Sequence, residues 1–368
     1  MSSYKFIISG GGTGGHIFPA VAIANGLKER FPDCNILFVG AKGRMEMEKV
    51  PAAGYEIVGL NIAGIQRSLT PKNLLVPFKL LGALNDAGKI LKRFQPDVVI
   101  GVGGYASGAI VYMASRKGIP TLVQEQNSYP GITNKLLSKR VQRLCVAYDG
   151  MERFFPADKI RMTGNPVRQE IAAQSGKREE AIRHFGLDST KQTLLVIGGS
   201  LGALSINESI LAALPAIKEK GLQLIWQTGK GFDTKAADAV AAMQDAGIQT
   251  YAFIKEMDLA YAAADLVVSR AGALAVSELC LVKKACILVP YPFASEDHQT
   301  HNAQSLVEKG AAVLVTDSDA RAKLAEVALS LSADAAKREA LVKAISALGK
   351  PDATNAIVNE VIQLMSTK

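Results

Sequence analysis

Four cysteines in 368 residues, Cys34, Cys145, Cys280 and Cys286, show neither a CxxC spacing nor a cluster with histidine. That scarcity excludes a disulfide framework and a zinc site, and it predicts reduced, mostly buried thiols. The opening MSSYKFIISGGG lacks the basic stretch, long apolar core and small-residue cleavage site of a secretory leader, so the chain is expected to stay in the cytoplasm. The longest uncharged run, VVIGVGGYASGAIVYMAS at 98–115, is interrupted by Gly101, Gly103, Gly104 and Ser107. It reads as strand, glycine turn and helix, not as a membrane span. Also missing is any interleaving of aromatic and basic residues or a helix-turn-helix pattern, so the net charge of +8 and pI near 9.2 predict anionic partners other than nucleic acid.

A chain of this length suggests two domains, at roughly 150 residues each. Apolar strands alternate with helical stretches in both halves, the signature of an α/β fold with parallel sheets. KFIISG, NILFVG, DVVIGV and TLVQEQ are the strands of the first half; TLLVIGG, LQLIWQ, DLVVSR and ACILVP are those of the second. FIISGGGTGGH (6–16) corresponds to LLVIGGSLGA (194–203), and PDVVIGVGGYASG (96–108) to ADLVVSRAGALAVSE (264–278). The expected fold is therefore α/β, two Rossmann-like domains joined near Thr163-Gly164-Asn165-Pro166, with four glycine loops at strand carboxyl ends facing one cleft.

Gly10, Gly12 and Gly15 satisfy GxGxxG, but NILFVG ends in Gly40-Ala41-Lys42 without the acid a dinucleotide ribose requires. A P-loop is excluded because no lysine followed by Ser or Thr closes the loop. Gly198-Gly199-Ser200-Leu201-Gly202, with Asp265 and then His298 or His301 downstream, matches the order of an α/β-hydrolase. A small hydroxyl residue among glycines at a helix start suits a phosphate better, since it adds one donor to open backbone N–H groups and the positive dipole end. His16, just past the first loop, is a candidate neutral-pH base. Glu278 is placed to accept two ribose hydroxyls, unless it merely complements a helix dipole. The acid pair in DSD (317–319) follows a strand VLVT and reads as a helix cap, so no metal is expected.

Seven motifs in order, GGGTGGHIFPA (10–20), GVGGYASG (101–108), QEQNSYPGITNK (124–135), TGNPVR (163–168), GGSLGA (198–203), SRAGALAVSE (269–278) and DHQTHNA (297–303), are similar to those of the MurG family of peptidoglycan N-acetylglucosaminyltransferases, which have the GT-B fold. The resemblance spans nearly the whole chain. It implies transfer of GlcNAc from UDP-GlcNAc to the C4 hydroxyl of MurNAc in lipid I, giving lipid II with inversion and without a cofactor or metal. It implies an acceptor and membrane-facing domain at 1–164, a UDP-GlcNAc domain at 165–352, and a last helix, about 353–368, returning to the first domain. Another GT-B enzyme using UDP-GlcNAc, such as an epimerase, and a non-catalytic nucleotide-sugar binder remain the alternatives.

By position, the resemblance implies donor contacts from Thr13, Gly14, Gly15, Asn127, Arg168, Ser200, Ile254, Arg270, Gly272, Ala273, Leu274, Glu278, Gln299 and Asn302. It assigns the acceptor diphosphate to Gly103, Gly104, Tyr105 and Ser107, and leaves the base between His16 and Glu125. Two departures stand out: Gln124 replaces a histidine found in many members, and Gln299-Thr300 replaces adjacent glutamines. Lys72, Leu74, Leu75, Phe78, Lys79 and Leu81 form either core or, as the resemblance implies, an apolar patch with basic flanks on the cytoplasmic face of the inner membrane. Cell-wall synthesis proteins are further implied partners.

Overall fold

The computed structural model describes residues 3–62, 76–172, 176–199 and 201–366. The chain forms two compact units, Met1–Val167 with Asp352–Lys368, and Arg168–Pro351. Lys72, Leu74, Leu75 and Ser200 lie outside the described residues.

In the first unit, β1 (Lys5–Gly10), β2 (Asn35–Ala41), β3 (Glu56–Leu60), β4 (Val98–Gly103), β5 (Thr121–Glu125), β6 (Arg143–Val146) and β7 (Ile160–Met162) form one sheet. Its order is β3-β2-β1-β4-β5-β6-β7, and the pairs are parallel. Alternate residues serve opposite faces, as a sheet buried on both sides requires. Ile7, Leu37, Val99 and Val123 pack with Ala83, Ala87 and Leu91 of the helix Val76–Phe94 and with Ala109 and Ile110 of the helix Tyr105–Arg116. Phe6, Ile8, Phe38 and Ile100 pack on the other face with Ile17, Ile23 and Leu27 of the helix Gly14–Arg30 and with Ile357, Val358 and Val361 of the last helix, Ala353–Ser366.

Gly26 admits the last helix against Gly14–Arg30, since a Cβ there would lie 2.7 Å from the Thr354 methyl. Glu360 ties the same helix to the sheet through Arg143 of β6 at 3.0 Å and Arg161 of β7 at 3.6 Å.

The second unit repeats the plan with β8 (Thr193–Ile197), β9 (Gln223–Gln227), β10 (Ile248–Tyr251), β11 (Leu266–Ser269), β12 (Ala285–Leu288) and β13 (Val313–Leu314). The order is β10-β9-β8-β11-β12-β13, again parallel. Trp226 is fully buried, and its indole N–H donates to Asn207 Oδ1 at 3.0 Å.

In each unit the strand order reverses once, between β1 and β4 and between β8 and β11. Such reversal points leave a crevice at the strand carboxyl ends, where ligands of open α/β sheets bind. All four glycine loops lie at these two points. The four cysteines are free and buried, and burial pushes the Cys280 thiol up to about 12. Among the described residues no helix is long and apolar enough to cross a membrane.

Candidate functional site

At the β1/β4 reversal the two glycine loops interlock. Gly11 N–H donates to the Gly103 carbonyl at 3.3 Å, and the register shifts between Ser9 and Gly10 opposite Gly101 and Gly103. Gly103 has φ +117 and Gly104 φ +91. A Cβ on Gly104 would sit 2.7 Å from the Gly11 carbonyl oxygen. One on Gly103 would sit 2.7 Å from both Cδ2 and Nε2 of His16. Glycine is needed at both positions because backbone and imidazole occupy the space of a side chain.

His16 is half-buried in the first turn of its helix, and its Nδ1 lies 2.9 Å from the Gly11 carbonyl oxygen. A carbonyl oxygen only accepts, so the neutral ring carries its proton on Nδ1 and keeps the lone pair on Nε2. That tautomer is the one a proton acceptor needs.

Glu125, the other candidate base, is buried at the end of β5. Its Oε1 accepts from the backbone N–H and side-chain amide of Asn127 at 3.0 and 3.2 Å. Its Oε2 accepts from Gly131 N–H at 3.2 Å and from Asn134 Nδ2 at 2.8 Å. Four donors on two oxygens commit this carboxylate to holding the loop after β5. Gln124, where many relatives of the resembled family carry histidine, is fully buried and donates to Asn165 Oδ1 at 2.8 Å. Asn165 in turn donates to the Gln126 carbonyl at 2.9 Å, making position 124 part of an amide ladder.

The helices that follow the glycine loops share one feature. Gly14–Arg30, Tyr105–Arg116, Leu204–Glu219 and Ala273–Val282 have no acid in the first turn and, among the described residues, no side-chain cap. Some helices elsewhere carry such acids, as Arg178–His184 does with Glu179 and Glu180 and Met257–Ala263 with Asp258, while others, Val76–Phe94 and Ala353–Ser366 among them, do not. N-terminal N–H groups left without an internal anion favour an external one. Thr13, Gly15 and Tyr105 are exposed at these helix starts and Gly14 partly so, while Ser107 is buried behind its loop, its hydroxyl without a partner among the described residues.

In the second unit, the loop after β11 is held from two sides. Arg270 donates to the Val289 and Pro290 carbonyls, each at 3.1 Å, and to Asp317 Oδ1 at 2.6 Å. Ser205 Oγ donates to the same carboxylate oxygen at 2.5 Å. These contacts hold the Asp317 carboxyl below its usual range against the opposing effect of burial. Thr316 caps the short helix that begins with Asp317, its hydroxyl accepting from Asp319 N–H. Asn302, fully buried, donates to the Ala271 carbonyl at 3.2 Å. Gly272 and Ala273 open the helix on which Leu274 and Glu278 lie.

Glu278 Oε1 accepts from Arg168 at 3.2 Å and Oε2 from the Tyr261 hydroxyl at 3.1 Å. Burial pushes its carboxyl up, with Arg168 and Tyr261 opposing. Ile254 is buried and its N–H donates to Gln227 Oε1 at 2.9 Å. Gln299 Oε1 accepts from Tyr291 N–H at 2.9 Å.

The hydrolase reading fails on placement. Asp265 precedes β11, where it accepts from Thr193 N–H at 2.9 Å and pairs with Arg178 at 3.1 Å. Thr193 opens β8, so Asp265 lies at the amino ends of the strands, whereas Gly198 follows the carboxyl end of β8. Sequence reasoning missed Glu46, Tyr261, Asn165 and Gln227. Only Gln227, a polar residue closing the apolar run of β9, leaves a readable signal.

Phe78 and Leu81, 72% and 65% exposed, leave the core to Ala83, Ala87 and Leu91 of the same helix. Lys79 is exposed between them.

The model of the glycosyltransferase family 28 N-terminal domain matches residues 6–146, and that of the C-terminal domain matches residues 193–357. A Flavobacterium psychrophilum protein is 53% identical over the full length of both chains. One from Bacteroides fragilis is 54% identical over 98% of this chain and 95% of its own. Both are named UDP-N-acetylglucosamine–N-acetylmuramyl-(pentapeptide) pyrophosphoryl-undecaprenol N-acetylglucosamine transferase. The crystal structure of Acinetobacter baumannii MurG, 30% identical, superposes with a TM-score of 0.77 over 98% of this chain and all of that one. Two Rossmann-like units with matching glycine loops, each half fitted by its own domain model, therefore place the chain in glycosyltransferase family 28, as a member of its MurG family.

Proposed function

We propose that this chain transfers GlcNAc from UDP-GlcNAc to the C4 hydroxyl of MurNAc in undecaprenyl-pyrophosphoryl-MurNAc-pentapeptide, lipid I, forming lipid II for peptidoglycan synthesis. The observation that carries the chemistry is His16, whose Nδ1 is tied to the Gly11 carbonyl at 2.9 Å and whose Nε2 is left to accept a proton. The acceptor hydroxyl gives its proton to Nε2 as its oxygen bonds to the anomeric carbon. The bond from that carbon to the β-phosphate oxygen breaks, its electron pair leaves on UDP, and the single displacement inverts the centre. A placed base contributes about 10²- to 10⁴-fold to such a step. Glu125, with four donors on its carboxylate, is the less suitable base.

UDP is stabilised as it departs by the start of the helix Leu204–Glu219, which carries no internal acid, with Ser200 as an added donor. Glu278 accepts the ribose hydroxyls, the backbones of Ile254 and of Gly272-Ala273-Leu274 meet uracil, and Gln299 contacts the donor sugar, as do Asn127, Thr13, Gly14 and Gly15. Arg168 serves the nucleotide, while Arg270 and Asn302 keep the loop after β11 in place through the contacts above. Gly103, Gly104 and Tyr105, at the acid-free start of Tyr105–Arg116, take the acceptor diphosphate. Exposed Phe78, Leu80 and Leu81 with Lys79 supply part of a contact with the anionic cytoplasmic face of the membrane, where the lipid acceptor resides.

The test is UDP release from UDP-GlcNAc with and without a lipid I analogue. Release that requires the acceptor supports transfer. An epimerised sugar without acceptor, or binding without turnover, contradicts it.

A further inference from the structure

Glu46 is a carboxylate that no step above uses, yet it is 1% exposed and lies against the first glycine loop. Its Oε2 accepts from Gly12 N–H at 2.9 Å and its Oε1 from Ala41 N–H at 3.0 Å. Two glycines are shaped around it. A Cβ on Gly11 would overlap the Glu46 carboxylate, and one on Gly40 would lie 2.6 Å from Glu46 Cγ. A buried carboxylate is retained only where strong donors repay its desolvation. Here those donors are backbone N–H groups from the loops after β1 and at the end of β2.

Gly11 stands at the centre of these contacts. Its neighbour Gly12 is held by Glu46, its own N–H by the Gly103 carbonyl, and its carbonyl accepts from His16 Nδ1. We propose that Glu46 is a positioning residue for His16: by anchoring the peptide between Gly11 and Gly12 it aims the Gly11 carbonyl at Nδ1, and so fixes the tautomer and place of the imidazole. It also takes the Gly12 N–H from any substrate phosphate, so the anion-binding capacity of this loop resides in the N–H groups that open the helix Gly14–Arg30. The catalytic part of this proposal rests on His16 as the base; the geometric part does not.

The test uses the full chain labelled with ¹⁵N-histidine, the His16 signals being assigned by their loss in His16→Ala. Glu46→Gln keeps the size of the side chain but opposes one of the two N–H groups with an NH₂. The wild-type ring is expected to show Nδ1–H with unprotonated Nε2, and Glu46→Gln a mixture of tautomers. Glu46→Gln is expected to lower kcat about 10- to 100-fold, the cost of a misplaced catalytic group, with UDP affinity unchanged. In a His16→Ala background the same substitution should lower the residual rate no further.

A wild-type tautomer in Glu46→Gln, or the same fractional loss in both backgrounds, overturns the proposal. If Glu46→Gln does not fold, Glu46→Asp, which keeps the charge but is one methylene shorter, is read by the same two measurements against the same outcomes. Near-normal turnover of His16→Ala would remove the base while a changed tautomer in Glu46→Gln would leave the positioning intact, so the two ideas fail separately.

Discussion

Arg168 Nη2 stands 3.2 Å from Glu278 Oε1 in the second unit, so the carboxylate proposed for the ribose also has a guanidinium within hydrogen-bond distance. The arginine side chain is 51% exposed and that of the glutamate 12%. A half-exposed guanidinium gives up such a pair at small cost, and the ribose hydroxyls can take its place while Tyr261 keeps the other oxygen. Glu278→Ala is expected to weaken UDP binding by about 1.5 to 3 kcal/mol, the range for hydrogen bonds to a charged group. Isothermal titration measures it, and unchanged affinity would remove the ribose assignment.

The same carboxylate makes a prediction about pH. Burial raises its pKa, so the folded state holds this proton more tightly than the unfolded chain does. Above the raised value the buried charge therefore opposes folding; as pH falls through that value the penalty is relieved. Nucleotide affinity moves the other way, because the ribose hydroxyls need the charged acceptor. Uridine, which has no phosphate to titrate, should lose affinity on acidification at a higher pH than an ordinary glutamate would dictate. Glu278→Gln should flatten that dependence. A pH-independent uridine affinity in the wild-type protein would contradict the assignment.

Gly103 and Gly43 both have positive φ, +117 and +69, but only Gly103 faces the His16 ring, while nothing lies within 4 Å of a Cβ at Gly43. Alanine at Gly43 should cost about 1 to 2 kcal/mol of stability, the penalty of a left-handed L-residue, and leave turnover intact. Alanine at Gly103 should cost at least as much and also displace the imidazole, lowering kcat by about 10²-fold. Thermal melts and steady-state kinetics on the two variants make the comparison. Equal effects on kcat would show that the contact with His16 is immaterial.

Much of this architecture is legible from residues alone. Continuous Phe, Val, Ile and Leu runs at 6–8, 98–100, 194–197 and 266–268 mark strands buried on both faces, and glycines after them mark the turns at the reversal points. The edge strands β3 and β10 escape that logic, because half-covered EIVGL and IQTY are too short and too mixed to show a period. β6, RLCV, is buried but opens on Arg143, whose charge is met by Glu360 more than two hundred residues later.

Glu46 escapes for a different reason. In RMEMEKV it reads as a solvated acid of a helix first turn, as Glu48 indeed is. Only the passage of the first glycine loop over it makes it internal. Arg270 likewise enters the sequence reading only as a donor contact, with nothing in SRAGALAVSE to signal the carbonyls of Val289 and Pro290 that hold it.

Phe78 and Leu81 lie three residues apart at the exposed start of the helix Val76–Phe94, beside Lys79. Because neither fills the core, Phe78→Glu with Leu81→Glu should leave the fold intact. The double variant should bind anionic vesicles more weakly and use full-length lipid I more slowly, while a short-chain soluble acceptor is turned over as before. Vesicle sedimentation and the two acceptor assays test this. Equal loss with both acceptors would exclude a membrane role for this face.

The most direct measurement of the whole account is the turnover of His16→Ala with a lipid I analogue, taken together with its affinity for UDP. A general base acts in the transition state, so kcat should fall by about 10²-fold or more, while UDP, which the proposal gives to the second unit, should hold its wild-type affinity. Near-normal turnover would contradict the account and transfer the proton to another group, with Glu125 the first to examine.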